Sequence, residues 1–425
     1  MTASANARIT ALAADRAVHR AFHWLHLYES QIARWHREFL AIPAPPFGEQ
    51  ARAEWFVSHF SELGLADPHV DREGNALAEL ASAGGGAPVV LLSAHLDTIF
   101  PAGTVCAPRD EDGKLLCPGA TDNGAGLAAL LAIAAALRHA DITPSATVLF
   151  AANVGEEGEG DLRGMRHLFS ASPYAQRIRS AIALEGAGAA TVVDRALGSR
   201  RLRVEITGPG GHSWADAGRP SPINALAAAL TALTQLALPA NPRTTLSCGT
   251  ISGGTSVNSI PAHVTADLDL RSTSAEELES LESLVLSTLS KCVKAEARRG
   301  RTREAMKLRD ALRITVRRIG DRTAGALASN SPLALSLRAV DRHLNLRTES
   351  RIGSTDANLP LSLGIPALAI GAGGKGGGIH TLEEWYSAEG RELALRRILL
   401  LLLDTCDLHA ADSQLAARDP LHSSK

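Results

Sequence analysis

Four short runs limit what this chain can fold into: APVVLLSAHLD at 87–97, ATVLFAANVGEE at 146–157, SAIALEGAG at 180–188 and IPALAIGAGG at 365–374. Each opens almost wholly apolar, with no alternation of apolar and polar residues. That texture belongs to a strand covered on both faces, because a strand with one wet face alternates. Such strands need helices on both sides of their sheet. Helical stretches do lie between the runs: NGAGLAALLAIAAALRHA follows the first and LRGMRHLFSA the second. Alternating strand and helix predicts an α/β layered fold around a mostly parallel sheet. Ligands of such sheets bind beyond the carboxyl ends of the strands, so the polar residues closing each run are where chemistry is expected.

Upstream, residues 1–85 read as helical. ESQIARWHREFLAI carries a helical apolar period and is stopped by the prolines of PAPPFGE; EQARAEWFVSHFSELGL is a second amphipathic helix, ended by Gly64. The texture changes near Gly198. SRRLRVEITGPG, TTLSCGTISGG and AHVTADLDLRS alternate as strands with one wet face, and LRITVRRIG reads as a last strand. Between them lie the helical SPINALAAALTALTQLAL and a longer helix opened by Ser274 and Glu277, a capping box. The order β-α-β-β-α-β predicts a ferredoxin-like α+β unit. The expected division is therefore 1–197 with 321–412 as one domain, 198–320 as a smaller inserted domain, and 413–425 as a disordered tail.

A length of 425 residues also exceeds one ordinary core. Lys and Arg total 43 against 45 Asp and Glu, a balance that offers nothing to nucleic acid or to an acidic membrane surface. Charged residues break every apolar stretch of the first 30 residues, and Ile398–Leu403 is far shorter than the roughly 20 residues that span a bilayer. Five scattered cysteines with no C-x-x-C pair support neither a disulfide framework nor a thiolate zinc cage; reduced thiols in a cytoplasm are expected.

His95 and Asp97 stand two apart in SAHLDT and point the same way on an extended chain. A carboxylate beside an imidazole is a usual partner of a metal-bound histidine, although a strand-end histidine is often merely hydrogen-bonded. Asp122 in CPGATDNGAG reads either as a helix N-cap or as a ligand. The glycines there lack the lysine of a phosphate loop. Glu156 and Glu157 follow the second run, Glu185 the third, and His380 stands in GGGIHTLEEWY. Oxygen and nitrogen donors without thiolate suit zinc, with manganese or cobalt as alternatives. Six candidate groups exceed one tetrahedral site, which favours two metals bridged by a carboxylate. His23 and His26 have a spacing that can bind metal, but nothing nearby in the sequence completes a site.

SAHLDT, GATDNGAG, VGEEGEGDLRG, LEG, GPGGHS and GGIHTLEEWY, in this order and from about 35 to 410, resemble the two-zinc metallopeptidases that include aminoacylases, carboxypeptidase G, succinyl-diaminopimelate desuccinylase and peptidase T. The resemblance implies that Asp122 bridges two divalent ions, that His95 and Glu185 complete one site, and that Glu157 and His380 complete the other. It implies that Asp97 orients His95 and that Glu156 is the general base toward a water between the metals. It further implies that the inserted domain is a lid or dimerisation domain of a homodimer. His212 of GPGGHS would then reach the neighbouring subunit's site and stabilise the oxyanion, and Asn258 and Arg271 would bind substrate. The implied substrate is a short peptide, on the peptidase T side, or an N-acyl amino acid. A non-catalytic, metal-stabilised binding protein is the alternative from another class.

Overall fold

The computed structural model describes residues 4–82, 88–299 and 312–418. The chain forms two compact units, one built from Met1–Ala196 and Ala326–Lys425, the other from Leu197–Gly325.

At the centre of the first unit lie four strands: β1 (Val89–His95), β2 (Thr147–Asn153), β3 (Ile178–Leu184) and β4 (Ala367–Ile370). They lie side by side in the order β2, β1, β3, β4, and every neighbouring pair is parallel. Every residue of β1, β2 and β4 is buried, which accounts for their unbroken apolar texture. Being parallel, all four deliver their carboxyl ends to one rim. There stand His95, the segment 154–157, Glu185 and the glycines after Ile370.

The region read as helical up to residue 85 is helical only to Glu62. Ala66–Val70 and Ala76–Leu80 are strands that extend the sheet antiparallel beyond β2. They are five residues each, too short to declare a period, and the turn between them is knotted locally. Asp71 Oδ1 accepts the N–H groups of Glu73, Gly74 and Asn75.

Helix α1 (Gly124–His139) is buried from Gly124 to Leu137, so it is apolar on every side rather than amphipathic. Its start explains two glycines of GATDNGAG. A Cβ on Gly124 would stand 2.6 Å from both the Gly119 carbonyl and His36 Nε2, and one on Gly126 only 2.2 Å from Asn123 Oδ1. Helix α2 (Arg391–Arg418) closes the unit. Its buried Arg397 pairs with Asp341 through Nε–Oδ1 at 2.6 Å and Nη2–Oδ2 at 2.8 Å. The backbone of 413–418 continues this helix, where a disordered tail was expected; the strong helix formers of SQLAAR carry it on. Residues 419–425 lie outside the described residues. Among those described, no helix is long and apolar enough to cross a membrane.

His36 sits in this core with Nε2 2.8 Å from the carbonyl oxygen of Ala120. Burial, helped by the charge of Arg391, lowers its pKa to about 3, so the folded ring is neutral. Unfolded, it titrates near the ordinary value of about 6.5. Between these values the unfolded chain binds the extra proton. The stabilisation is therefore complete above about pH 6.5 and is lost as pH falls toward 3. By pH 5 the loss is about 2 kcal/mol. Urea unfolding of His36→Gln should show a drop between pH 7.5 and 5 that is smaller than wild type by about that amount; parallel curves would rule His36 out as an acid-labile element.

The second unit has an antiparallel sheet in the order Thr244–Gly253, His263–Ser272, Gly198–Thr207, Arg313–Arg322. Helices Pro222–Thr234 and Ala275–Ala297 bury Leu226, Ala229, Leu281 and Val285 with Leu202, Val204 and Ile206 of the sheet. This is the strand order of a ferredoxin-like unit. The last strand passes the expected boundary at residue 320. Its register shifts between Arg318 and Gly320, so the glycine marks an irregularity within the strand rather than its end.

Candidate active site

Asp122 is the hub of the rim. Its Oδ1 lies 3.1 Å from His95 Nε2 and its Oδ2 lies 3.1 Å from His380 Nε2. Glu185 Oε1 is 3.5 Å from the same His95 nitrogen, and Glu157 Oε1 is 3.1 Å from the same His380 nitrogen. Two donor groups result, His95–Asp122–Glu185 and Asp122–Glu157–His380, each with its atoms within 4.8 Å of one another, and Asp122 belongs to both. Glu156 joins His95 and Glu157 in a third such group, which does not include Asp122.

Local chain chemistry aims Asp122 inward. The cap of α1 is the next residue, Asn123, whose Oδ1 accepts the N–H groups of Gly126 and Gly186 and whose Nδ2 donates to the Leu184 carbonyl. Asp122 is thereby released from the capping role that its position also suggested. The buried Glu384 completes the clamp. Its Oε1 accepts from the N–H of Thr121 at 2.8 Å and of Asp122 at 2.7 Å, and its Oε2 from Gly119 at 2.9 Å. Sequence reasoning passed over Glu384, although it closes a second Glu-Glu pair two residues beyond Thr381. Its acceptors act on backbone donors, which no side-chain motif reveals.

Asp97 does more than sit beside His95. Its Oδ1 accepts the N–H of Glu156 at 3.0 Å and its Oδ2 that of Glu157 at 2.7 Å. His95 Nδ1 meets the Asp97 backbone carbonyl at 3.0 Å, while the carboxylate stands off at 3.6 Å. The carboxylate thus fixes the strand-end loop carrying both glutamates, and the main chain of the same residue orients the imidazole. Buried Arg52 holds the intervening carbonyl of Leu96 at 2.7 Å. Outer contacts of this kind typically contribute about 10–100-fold in activity or metal affinity. Asp97→Asn, which turns an amide N–H₂ toward one of the two backbone donors, is expected to lower kcat/KM within that range; an unaffected value would mean the loop holds itself.

The four ligating-type groups around Asp122 stand against one another electrostatically. The hydrogen bond to Asp122 raises His380 to about 9, with burial opposing. Burial also opposes charging of His95, but Glu185, Asp122 and Asp97 hold its pKa well above the ordinary value. Burial lifts Glu185 to about 7 against the pull of His95, and raises Glu157 with the Asp122 charge adding to it. Asp122 goes the other way: despite burial, His380 and His95 hold it far below the usual carboxylate range. The imidazoles and carboxylates thus favour each other's charged forms, and a cation bound here would compete with protons for the same donor atoms. His380 also has a left-handed backbone (φ 66°), uncommon for a residue with a side chain and held by the turn Gly378–Glu384.

The remaining expected residues lie in the second unit. Gly211–His212 pairs with Ser259–Ile260, and the Asn258 carbonyl accepts the N–H of Ser213, so His212 and Asn258 are neighbours. His212 Nδ1 accepts from the N–H of Trp214 at 3.2 Å. Arg271 is not brought to them. It pairs with Asp269 and lies eight residues along its strand from His263, roughly 27 Å at strand rise.

A mostly parallel sheet whose carboxyl rim gathers imidazoles and carboxylates in this way carries the donor set of a metallohydrolase. The chain belongs to peptidase family M20/M25/M40, whose model matches residues 91–404. It is 29% identical over 267 residues to a protein of Aspergillus clavatus named "probable carboxypeptidase", covering 57% of this chain. The matched region spans 58% of that relative's length. A tripeptidase from Staphylococcus aureus shares the fold with TM-score 0.70 at 21% identity, covering 89% of this chain and 98% of that one. The aminopeptidase PepT from Bacillus cereus does so with TM-score 0.68 at 20% identity, covering 89% and 98%.

Proposed function

We propose that this protein is a two-metal amidohydrolase that cleaves short peptides. The observation that carries the reading is the sharing of Asp122 between two donor groups. The residues suit divalent cations. All donors are nitrogen or oxygen, as zinc accepts and as cobalt or manganese also tolerate. Glu185 Oε2 is buried and accepts no hydrogen bond, which leaves a lone pair for a cation. His95, Asp122 and Glu185 would hold one ion; Asp122, Glu157 and His380 the other. When bound, such ions polarise a carbonyl and lower the pKa of water.

In this reading Glu156 takes the proton of the attacking water and hands it to the leaving amine. Its backbone is fixed by Asp97, and its carboxylate borders the cluster without joining Asp122. His212, exposed in the second unit, would stabilise the developing oxyanion across a homodimer, with Asn258 beside it on the substrate. The second unit suits self-association. Its strand Thr244–Gly253 is an edge strand, and Trp214 and Val257 are 86% and 103% exposed. Sedimentation of a fully active monomer would remove the trans role of His212.

The tripeptidase and PepT likenesses and the carboxypeptidase relative favour peptides over N-acyl amino acids. The test is hydrolysis of di- and tripeptides against N-acetyl amino acids after loading with zinc, manganese or cobalt. Preference for the acetylated compounds would make the protein a deacylase. Bound metal with no hydrolysis of either would make it a binding protein.

A further inference from the structure

A pocket of about 400 Å³ is formed by the segments that lead to Asp122 and follow His380, lined by Val105, Ala107, Leu116, Pro118 and Leu382, with Arg109 the one charged side chain among the described residues that line it. The size falls within the usual range of ligand sites, about 300–1,000 Å³. Val105 is 78% exposed and Leu382 65%, so two branched aliphatic side chains face water where the chain spends no core contact on them. Exposed aliphatic residues gathered around one concavity, rather than scattered, mark a place where something apolar binds.

The pocket and the cluster are carried by the same two segments. Leu382 is two residues from His380, so their Cα atoms are at most about 7 Å apart, and Pro118 is four residues from Asp122, at most about 15 Å. Cys117 N–H donates to the Glu384 carbonyl at 3.0 Å and Gly119 N–H to the Glu384 carboxylate at 2.9 Å, zipping the two segments together. A peptide advances about 3.5 Å per residue. A peptide of about two to four residues spans these separations.

We propose that this pocket is a specificity site that takes the aliphatic or aromatic side chain of a substrate residue next to the scissile bond. This rests on the amidohydrolase reading above. Val105, Leu116 and Leu382 supply the apolar walls, and Arg109 disfavours lysine and arginine. The enzyme is thereby directed to apolar peptides rather than to glycine-rich or basic ones.

The experiment compares kcat/KM for Gly-Gly-Gly with the peptides in which leucine or lysine replaces each glycine in turn, using the metal-loaded full chain. A pocket of this kind distinguishes apolar groups by about tenfold or more per residue. Leucine at one position should raise kcat/KM by at least that factor while lysine there does not. In Val105→Asp the leucine-to-glycine ratio should collapse to within about twofold. A wild-type ratio near one, or a ratio that Val105→Asp leaves intact, overturns the proposal. Calorimetry with leucinamide and glycinamide gives a readout independent of turnover. If no peptide is hydrolysed, the peptidase reading fails and calorimetry alone decides the pocket. Leucinamide binding that Val105→Asp abolishes supports it; equal binding of the two amides, or binding of neither, overturns it.

Discussion

Glu156→Gln is expected to lower kcat by about 10²–10⁴-fold while the protein keeps its full complement of metal. Glutamine has the shape of glutamate but cannot accept the proton of the attacking water at neutral pH. The backbone N–H of residue 156 would still bind Asp97 Oδ1, so the loop should stay in place. Its neighbour behaves differently in this account. Glu157 contacts His380 Nε2 and shares a donor group with Asp122, so Glu157→Gln should lose metal as well as activity. The pair of measurements, turnover and metal content by elemental analysis, separates base from ligand. Unchanged turnover in metal-replete Glu156→Gln would place the base elsewhere. Loss of metal in Glu156→Gln equal to that in Glu157→Gln would erase the distinction between the two glutamates.

Asp122→Asn should be the most damaging single change to metal binding. It takes a charge from both donor groups at once, whereas Glu185→Gln or His380→Gln touches one. The expected stoichiometry falls below one ion per chain in Asp122→Asn and to about one in either of the others. Loss of both ions removes several kcal/mol of transition-state stabilisation, on the order of 10³-fold or more in rate. The fold should survive, because Asn123 caps α1 and Glu384 binds the backbone N–H of residue 122, neither of which needs the Asp122 carboxylate. Two ions retained in Asp122→Asn would show that no shared carboxylate is required.

Much of this arrangement was legible in the residues. The four apolar runs read as doubly covered strands, and parallel strands put their polar closing residues on one rim. That geometry places His95, Glu157 and Glu185 at strand ends; their grouping with Asp122 and His380 as one ligand set was what the family resemblance implied. The alternation and capping signals of 198–320 likewise marked a separate α+β unit. The short strands Ala66–Val70 and Ala76–Leu80 were not legible, because five residues carry too little period and the surrounding helices dominate the window. Of the expected disordered tail, the backbone of 413–418 continues the last helix and 419–425 lie outside the described residues.

What the sequence by itself determined is the donor inventory and the rim it stands on, since strand burial and parallel order are written in local composition. Only the tertiary structure decided what each group does there. It made Asn123 the helix cap and left Asp122 facing two histidines. It turned the Asp97 carboxylate to the backbone of Glu156 and Glu157, brought Glu384 from the far end of the chain to hold the Asp122 segment, and set Arg271 apart from Asn258. These assignments depend on which backbone donors and carbonyls lie across from a side chain once distant segments pack. That is a property of long-range geometry, and no local pattern of residue types encodes it.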